Sequence, residues 1–171
     1  MRGELTQETA VEAPASAVWE AYRGLELARL VTELMPDTIG HAQVLEGDGG
    51  VGTLVNLTFP PGTPGAGYVK EVFTVADDEK RVKETETVEG GLLALGFDSL
   101  RVRLEIAETG AESSAIKSTL LYEVDDAKPE LLAYLSTDLL ERMAKGIANH
   151  VVQNYNNNKK KKKSPSLSPS E

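Results

Sequence analysis

The chain contains no cysteine, which removes a disulfide framework, a thiol nucleophile and any cysteine-ligated zinc from consideration. Histidine is almost as scarce, with two residues in 171. His150 has no second histidine at ligand spacing, so a metal site is not expected there and a surface or packing role fits better; no Ser-His-Asp arrangement can be assembled either. No apolar run near the N-terminus is long enough for a signal segment or a membrane span, so a cytoplasmic compartment is expected. Positive charge is also in short supply. The formal net charge is −9, and five of the 18 Lys and Arg residues are packed into positions 159–163, so the rest of the chain is more acidic still. Such a surface repels phosphate backbones and anionic lipid heads, and neither nucleic acid nor membrane insertion is expected.

What is present is enough apolar material, 40% of residues, for one core in one domain. We expect that domain over residues 1–153. Residues 154–171 run from Asn-rich to Lys-rich to Ser/Pro-rich, a composition that cannot bury enough apolar surface to order itself. A disordered, solvated tail is the favoured reading over a nuclear-localisation or anionic-surface patch.

The periodicity predicts an α+β fold. A first strand over residues 3–11 is followed by two short helices, one carrying Val18, Ala21 and Tyr22, the other ending at Met35-Pro36. Strands with one wet face then follow. Val55, Leu57 and Phe59 share a face, as do Val69, Phe73 and Val75, then Leu100, Val102, Leu104 and Ile106, then Ile116, Leu120, Tyr122 and Val124. Short turns at residues 77–79 and 108–110 make this an antiparallel meander. After Lys128-Pro129 the period becomes helical, with Leu132, Leu135, Leu139, Met143, Ile147 and Val151 on one stripe. One helix across a curled sheet, with aromatics at 5% of the chain, leaves the concavity unfilled, and an internal ligand cavity is expected.

Two local features invite a chemical reading. The glycine-rich run Glu46-Gly47-Asp48-Gly49-Gly50-Val51-Gly52-Thr53 lacks the Lys of a phosphate loop and runs into a strand, so a tight hairpin with positive-φ glycines is the better reading. Glu71 falls on the apolar face with Val69 and Phe73, where a carboxylate is costly unless paired. Lys83 is its nearest partner if the hairpin brings position 83 near position 73, and the two would then act as base and acid. The alternative, that residues 81–88 form an edge strand and both charges reach water, is equally open. Tyr68 could orient a substrate hydroxyl or sit at the rim.

These residues resemble the helix-grip family typified by the birch pollen allergen and pathogenesis-related class ten, and within it the alkaloid-forming norcoclaurine synthase and norbelladine synthase branch. The likeness spans residues 3–152. It is carried by the glycine-rich run, Phe59-Pro60-Pro61-Gly62, Lys70-Glu71 with Phe73, Glu79-Lys80-Arg81-Val82-Lys83-Glu84, Val88-Glu89-Gly90-Gly91, Ile116-Lys117-Ser118 and Tyr122-Glu123-Val124. It implies about seven curved antiparallel strands around a long C-terminal helix. It also implies condensation of a phenethylamine (tyramine or dopamine) with an aromatic aldehyde, with Lys83 as general acid, Glu71 as general base and Tyr68 orienting substrate. Where norcoclaurine synthases place a further Tyr and an Asp, this chain has Val69 and Val102, which is closer to the norbelladine synthase pattern. No metal or organic cofactor is implied, and an imine product would call for a downstream reductase. The same fold also hosts non-catalytic carriers of hydrophobic plant metabolites or hormones, which is the competing reading.

Overall fold

The computed structural model describes residues 1–163. β1 (Arg2–Val11) leads into α1 (Ala15–Tyr22) and α2 (Glu26–Leu34), which together cross to the far edge of the sheet. There the chain returns strand by strand through β2 (His41–Glu46), β3 (Leu54–Thr58), β4 (Tyr68–Asp77), β5 (Val82–Gly90), β6 (Ser99–Gly110) and β7 (Ser113–Glu123), and it ends in α3 (Asp138–Lys163). The seven strands form one sheet in the order β1-β7-β6-β5-β4-β3-β2, antiparallel throughout. This is the expected helix-grip architecture, reached by the sequential pairing that short turns dictate.

The alternation read from the sequence sorts β6 as anticipated. Leu100, Leu104 and Ile106 are buried, while Arg101 and Arg103 lie on the outer face and both reach Glu84 of β5 (3.4 and 3.3 Å). Two boundaries differ from expectation. The β6–β7 connection falls at residues 111–112 rather than 108–110, because a bulge between Glu108 and Gly110 carries β6 further. The helical stripe starting at Leu132 is not one helix: Pro129–Tyr134 is a 3₁₀ turn, and α3 begins only at Asp138, whose N–H donates to the Ser136 hydroxyl (3.1 Å). A 3₁₀ turn repeats every three residues, so its apolar spacing matches that of an α-helix. At the other end α3 continues through residues 154–163, so the expected 153/154 boundary falls inside the helix. Tyr155 packs against the core there, and Lys159 bonds Glu112. The remainder of the expected tail, 164–171, lies outside the described residues.

α3 lies chiefly against β1, β7, α1 and α2. Two apolar clusters result. One gathers Val18, Trp19, Tyr22, Val31, Ile106, Ile116, Ile147 and Val151; the other gathers Phe97, Leu100, Leu120, Val124, Leu131 and Leu140. Val55, Val69 and Phe73 of the β3–β4 half are buried but join neither cluster. They face a space that α3 does not fill. Among the described residues no helix is long and apolar enough to cross a membrane.

Candidate active site

That space is a cavity of about 120 Å³ between the sheet and the two helices α2 and α3. Val55, Leu57, Val69, Phe73, Val102 and Leu104 form its floor, and Leu27, Val31, Leu139, Leu140 and Met143 its roof. Three polar side chains interrupt this lining: Glu71, Lys83 and Thr85.

Strand geometry explains how they meet. Val69, Glu71 and Phe73 alternate inward on β4, and Lys83 and Thr85 do so on β5. The pairing places Thr85 opposite Phe73, then shifts by one residue at a bulge between Phe73 and Val75, so that Lys83 stands opposite Ala76. The expected register, with position 83 near position 73, is therefore displaced by one inward step along β5. Lys83 recovers the distance with its long stem, and its Nζ sits 4.3 Å from the centre of the Phe73 ring. Thr85 occupies the place between, donating from its hydroxyl to Glu71 Oε2 (3.1 Å). Among the described residues no direct ion pair joins Glu71 to Lys83. The charges interact across the cavity instead.

Their environment shifts both proton affinities toward neutrality. Burial pushes the Glu71 carboxyl above its usual range, opposed by the Thr85 hydrogen bond and by the Lys83 charge. Lys83 is 4% exposed, and desolvation pulls its ammonium down to about 8, with the Glu71 charge acting in the opposite sense. The ammonium is held from behind by two backbone carbonyls, Gly24 O at 2.7 Å and Tyr22 O at 3.2 Å, where α1 ends. The site thus offers a proton donor and a proton acceptor on one wall of an apolar chamber, the arrangement that acid–base catalysis on an aromatic substrate requires.

Tyr68 lies elsewhere. Its hydroxyl donates to Glu89 Oε2 at the exposed edge (2.7 Å), beside the Lys70–Glu89 ion pair (3.2 Å), and it is not among the residues lining the cavity. Thr85 and the two carbonyls escaped the sequence reading. Thr85 shares strand parity with Lys83 and could have been found that way; a backbone acceptor leaves no sequence signal. His150, expected to have a surface or packing role, is bonded to Asn154 (3.2 Å) on the exposed side of α3.

Behind Lys83 a second and larger hollow, about 840 Å³, opens toward solvent between α1, the glycine-rich turn and the β4–β5 turn. Arg23, Glu26, Asp48, Asp78 and Lys83 are on its walls. The charges there are mostly tied to one another: Asp78 accepts from Trp19 Nε1 (2.9 Å) and from Arg23 Nε and Nη2 (3.0 and 2.7 Å). Lys83 is common to both hollows. The smaller one is the better candidate for chemistry, because there a carboxyl and an ammonium share one apolar, desolvated space.

Comparison with known proteins adds to this geometry. The sequence profile of the pathogenesis-related protein Bet v 1 family matches residues 1–154. Norbelladine synthase of Narcissus pseudonarcissus is 45% identical over 157 residues, 92% of this chain and 96% of that protein. S-norcoclaurine synthase 1 of Papaver somniferum is 36% identical over 155 residues, 90% of this chain and 67% of that one. The X-ray structure of norcoclaurine synthase from Thalictrum flavum, in complex with dopamine and hydroxybenzaldehyde, superposes with a TM-score of 0.78 at 33% identity, covering 90% of this chain and 88% of the other.

Proposed function

The chain belongs to the pathogenesis-related protein Bet v 1 family, and from that premise we propose that it is an amine–aldehyde condensing enzyme of alkaloid biosynthesis, joining a phenethylamine such as tyramine or dopamine to an aromatic aldehyde. The observation that carries this reading is the placement of Glu71 and Lys83 on one wall of the apolar cavity, in a chain 45% identical to a norbelladine synthase.

The chemistry follows from the two proton affinities. Lys83 donates a hydrogen bond to the aldehyde oxygen and makes its carbon more electrophilic, while Glu71 takes the proton released as the amine nitrogen forms the C–N bond. Glu71 returns that proton to the oxygen, giving the carbinolamine; Lys83 then protonates its hydroxyl, which departs as water and leaves an iminium whose N–H proton goes back to Lys83 to give the neutral imine. If the ring carbon instead closes on the iminium, Glu71 accepts the ring proton. Confinement makes the encounter of the two reactants intramolecular in effect, and the dry walls keep water from returning to the imine. Val69 and Val102 make the floor aliphatic where norcoclaurine synthases resemble one another in carrying Tyr and Asp, which favours the norbelladine synthase type of product, an open imine for a separate reductase. Tyr68, bonded to Glu89 outside the cavity, would orient a substrate hydroxyl only by giving up that bond and turning inward. Residues 1–153 supply every group invoked here, and the setting we propose is cytoplasmic.

Incubating the purified chain with tyramine or dopamine and 3,4-dihydroxybenzaldehyde or 4-hydroxyphenylacetaldehyde, with borohydride trapping, tests the reading. Trapped amine above the uncatalysed background is expected, and Lys83→Ala should abolish the excess. Binding of the same aromatics without any excess product would instead establish the carrier reading, which the predominantly apolar lining favours.

A further inference from the structure

The glycine-rich turn between β2 and β3 lies against the wall of the site, yet the chemistry above makes no use of it. We propose that this turn is the positioning element of the catalytic lysine: Gly49, packed directly on Gly24, fixes the carbonyl that holds the Lys83 ammonium in place. The inference rests on Lys83 acting as the acid, as set out above.

The contact is backbone against backbone. A Cβ on Gly49 would stand 2.8 Å from Gly24 Cα and 3.1 Å from both Gly24 C and Leu25 N, and the residue holds φ at +108°. Neither the space nor the conformation admits a side chain. Gly24, itself at φ +58°, is the residue whose carbonyl accepts from Lys83 Nζ at 2.7 Å. The turn is in its own right firmly held. Gly49 N donates to Thr53 Oγ1 (2.8 Å), Gly52 N to Phe73 O (2.8 Å), and Phe73 N to Thr53 O (2.8 Å). Phe73 carries the ring under the ammonium. One turn therefore braces both groups between which the ammonium is held, the Gly24 carbonyl behind it and the aromatic face beneath it. A lysine needs such bracing, because its charge sits at the end of a flexible four-carbon stem, and a small displacement of an acid from its substrate is costly in rate.

Lys83 reaches the wall of the outer hollow yet is only 4% exposed, because the turn at 22–24 covers its ammonium, so displacing that turn hydrates Lys83. The charged groups that bear on it are Glu71 from the cavity, and from the hollow Arg23, Asp48 and Asp78, with Glu20, Glu26 and Arg29 further round. Arg23 and Asp48 lie in the two turns that shift, but Glu71, the charge that acts on Lys83, stays on β4, and desolvation, the main cause of the depressed proton affinity, is relieved as water replaces the carbonyl as acceptor. Gly49→Ala should therefore raise the Lys83 midpoint by about one pH unit and lower kcat about tenfold with KM little changed. Thr53→Val removes the hydroxyl that anchors Gly49 N without adding bulk there; it should act in the same direction to a smaller extent and serves if Gly49→Ala does not fold. Gly50→Ala is the control, since its Cβ would meet only Asp48 Oδ1 at an ordinary 3.6 Å.

The test is the Lys83 ¹³Cε titration followed by NMR in lysine-labelled protein, assigned by Lys83→Arg, alongside kcat and KM across pH. An upward shift in Gly49→Ala or Thr53→Val, absent in Gly50→Ala, supports the proposal. A midpoint that stays or falls, or moves equally in Gly50→Ala, overturns it. A shift in a protein that forms no condensation product leaves the bracing of the ammonium standing and removes only the enzymatic reading.

Discussion

Holding Lys83 protonated inside the fold costs free energy, and the sign of that cost is testable. Its ammonium titrates near 8 in the folded chain against 10.5 as the ordinary value, so below pH 8 the unfolded state is favoured in full. The penalty fades as pH rises from 8 to 10.5, because over that window the unfolded chain binds the additional proton. Lys83→Met should accordingly raise stability at pH 7 by on the order of 2 kcal/mol, and the advantage should vanish by about pH 10 in urea-unfolding curves, even as activity is lost. On the proposed mechanism the same group should set the alkaline limb of the pH–rate profile near 8, and Glu71 the acid limb above the usual carboxylate range. Because the Glu71 charge helps to keep the proton on Lys83, Glu71→Gln should shift the Lys83 midpoint downward when followed by NMR. Much of this was legible in strand parity. The alternation that turns Glu71 inward also turns Tyr68 outward, where its hydroxyl bonds Glu89. Thr85 was harder to see, since a threonine on a strand raises no conflict with burial and so attracts no notice.

Between elements, the end of α1 is anchored to the β4–β5 turn. Asp78, on the β4–β5 turn, receives Trp19 and Arg23 from the last turn of α1, and the 22–24 carbonyls follow immediately. Asp78→Ala should therefore speed amide hydrogen exchange at residues 22–26 while β6 and β7 keep their protection, as read by exchange mass spectrometry. The bulge in β4 was not legible, because a bulge inserts one residue into a run whose composition it leaves unchanged. It is nevertheless what sets Ala76, rather than a larger residue, across from Lys83. The break before α3 was hidden for a related reason: Leu132 in the 3₁₀ turn Pro129–Tyr134 and Leu135 just past it stand three apart, a step that an α-helix also uses.

At the scale of the whole molecule, most of the sheet and the long helix were legible from periodicity, but β2, exposed along nearly its whole length, declares no repeat, and the number of strands came from the family resemblance. The size of the hollow was not legible, since it depends on how closely α3 approaches β3 and β4. At about 120 Å³ it is smaller than the about 300–1,000 Å³ of most small-molecule sites, so the residues at the start of α3, Leu139, Leu140 and Met143, must yield for two aromatic reactants to enter. A ligand that binds only the folded chain raises its stability by about 2.7 kcal/mol at a hundredfold excess over Kd; a dose-dependent rise in Tm with dopamine or a benzaldehyde is expected, and Val102→Trp, which fills the floor, should remove it. The cationic end of α3 is peripheral to all of this. Ending the chain after Asn158 removes the Lys159–Glu112 contact at the surface and should leave kcat/KM unchanged in the trapping assay.

Lys83 borders two compartments at once, the inner chamber and the outer hollow, and the short backbone turn at 22–24 holds its nitrogen between them. On the proposed mechanism its proton can then exchange with bulk through the rear compartment while reactants fill the front one, so the protonation state of the acid follows solution pH without the reaction space opening to water.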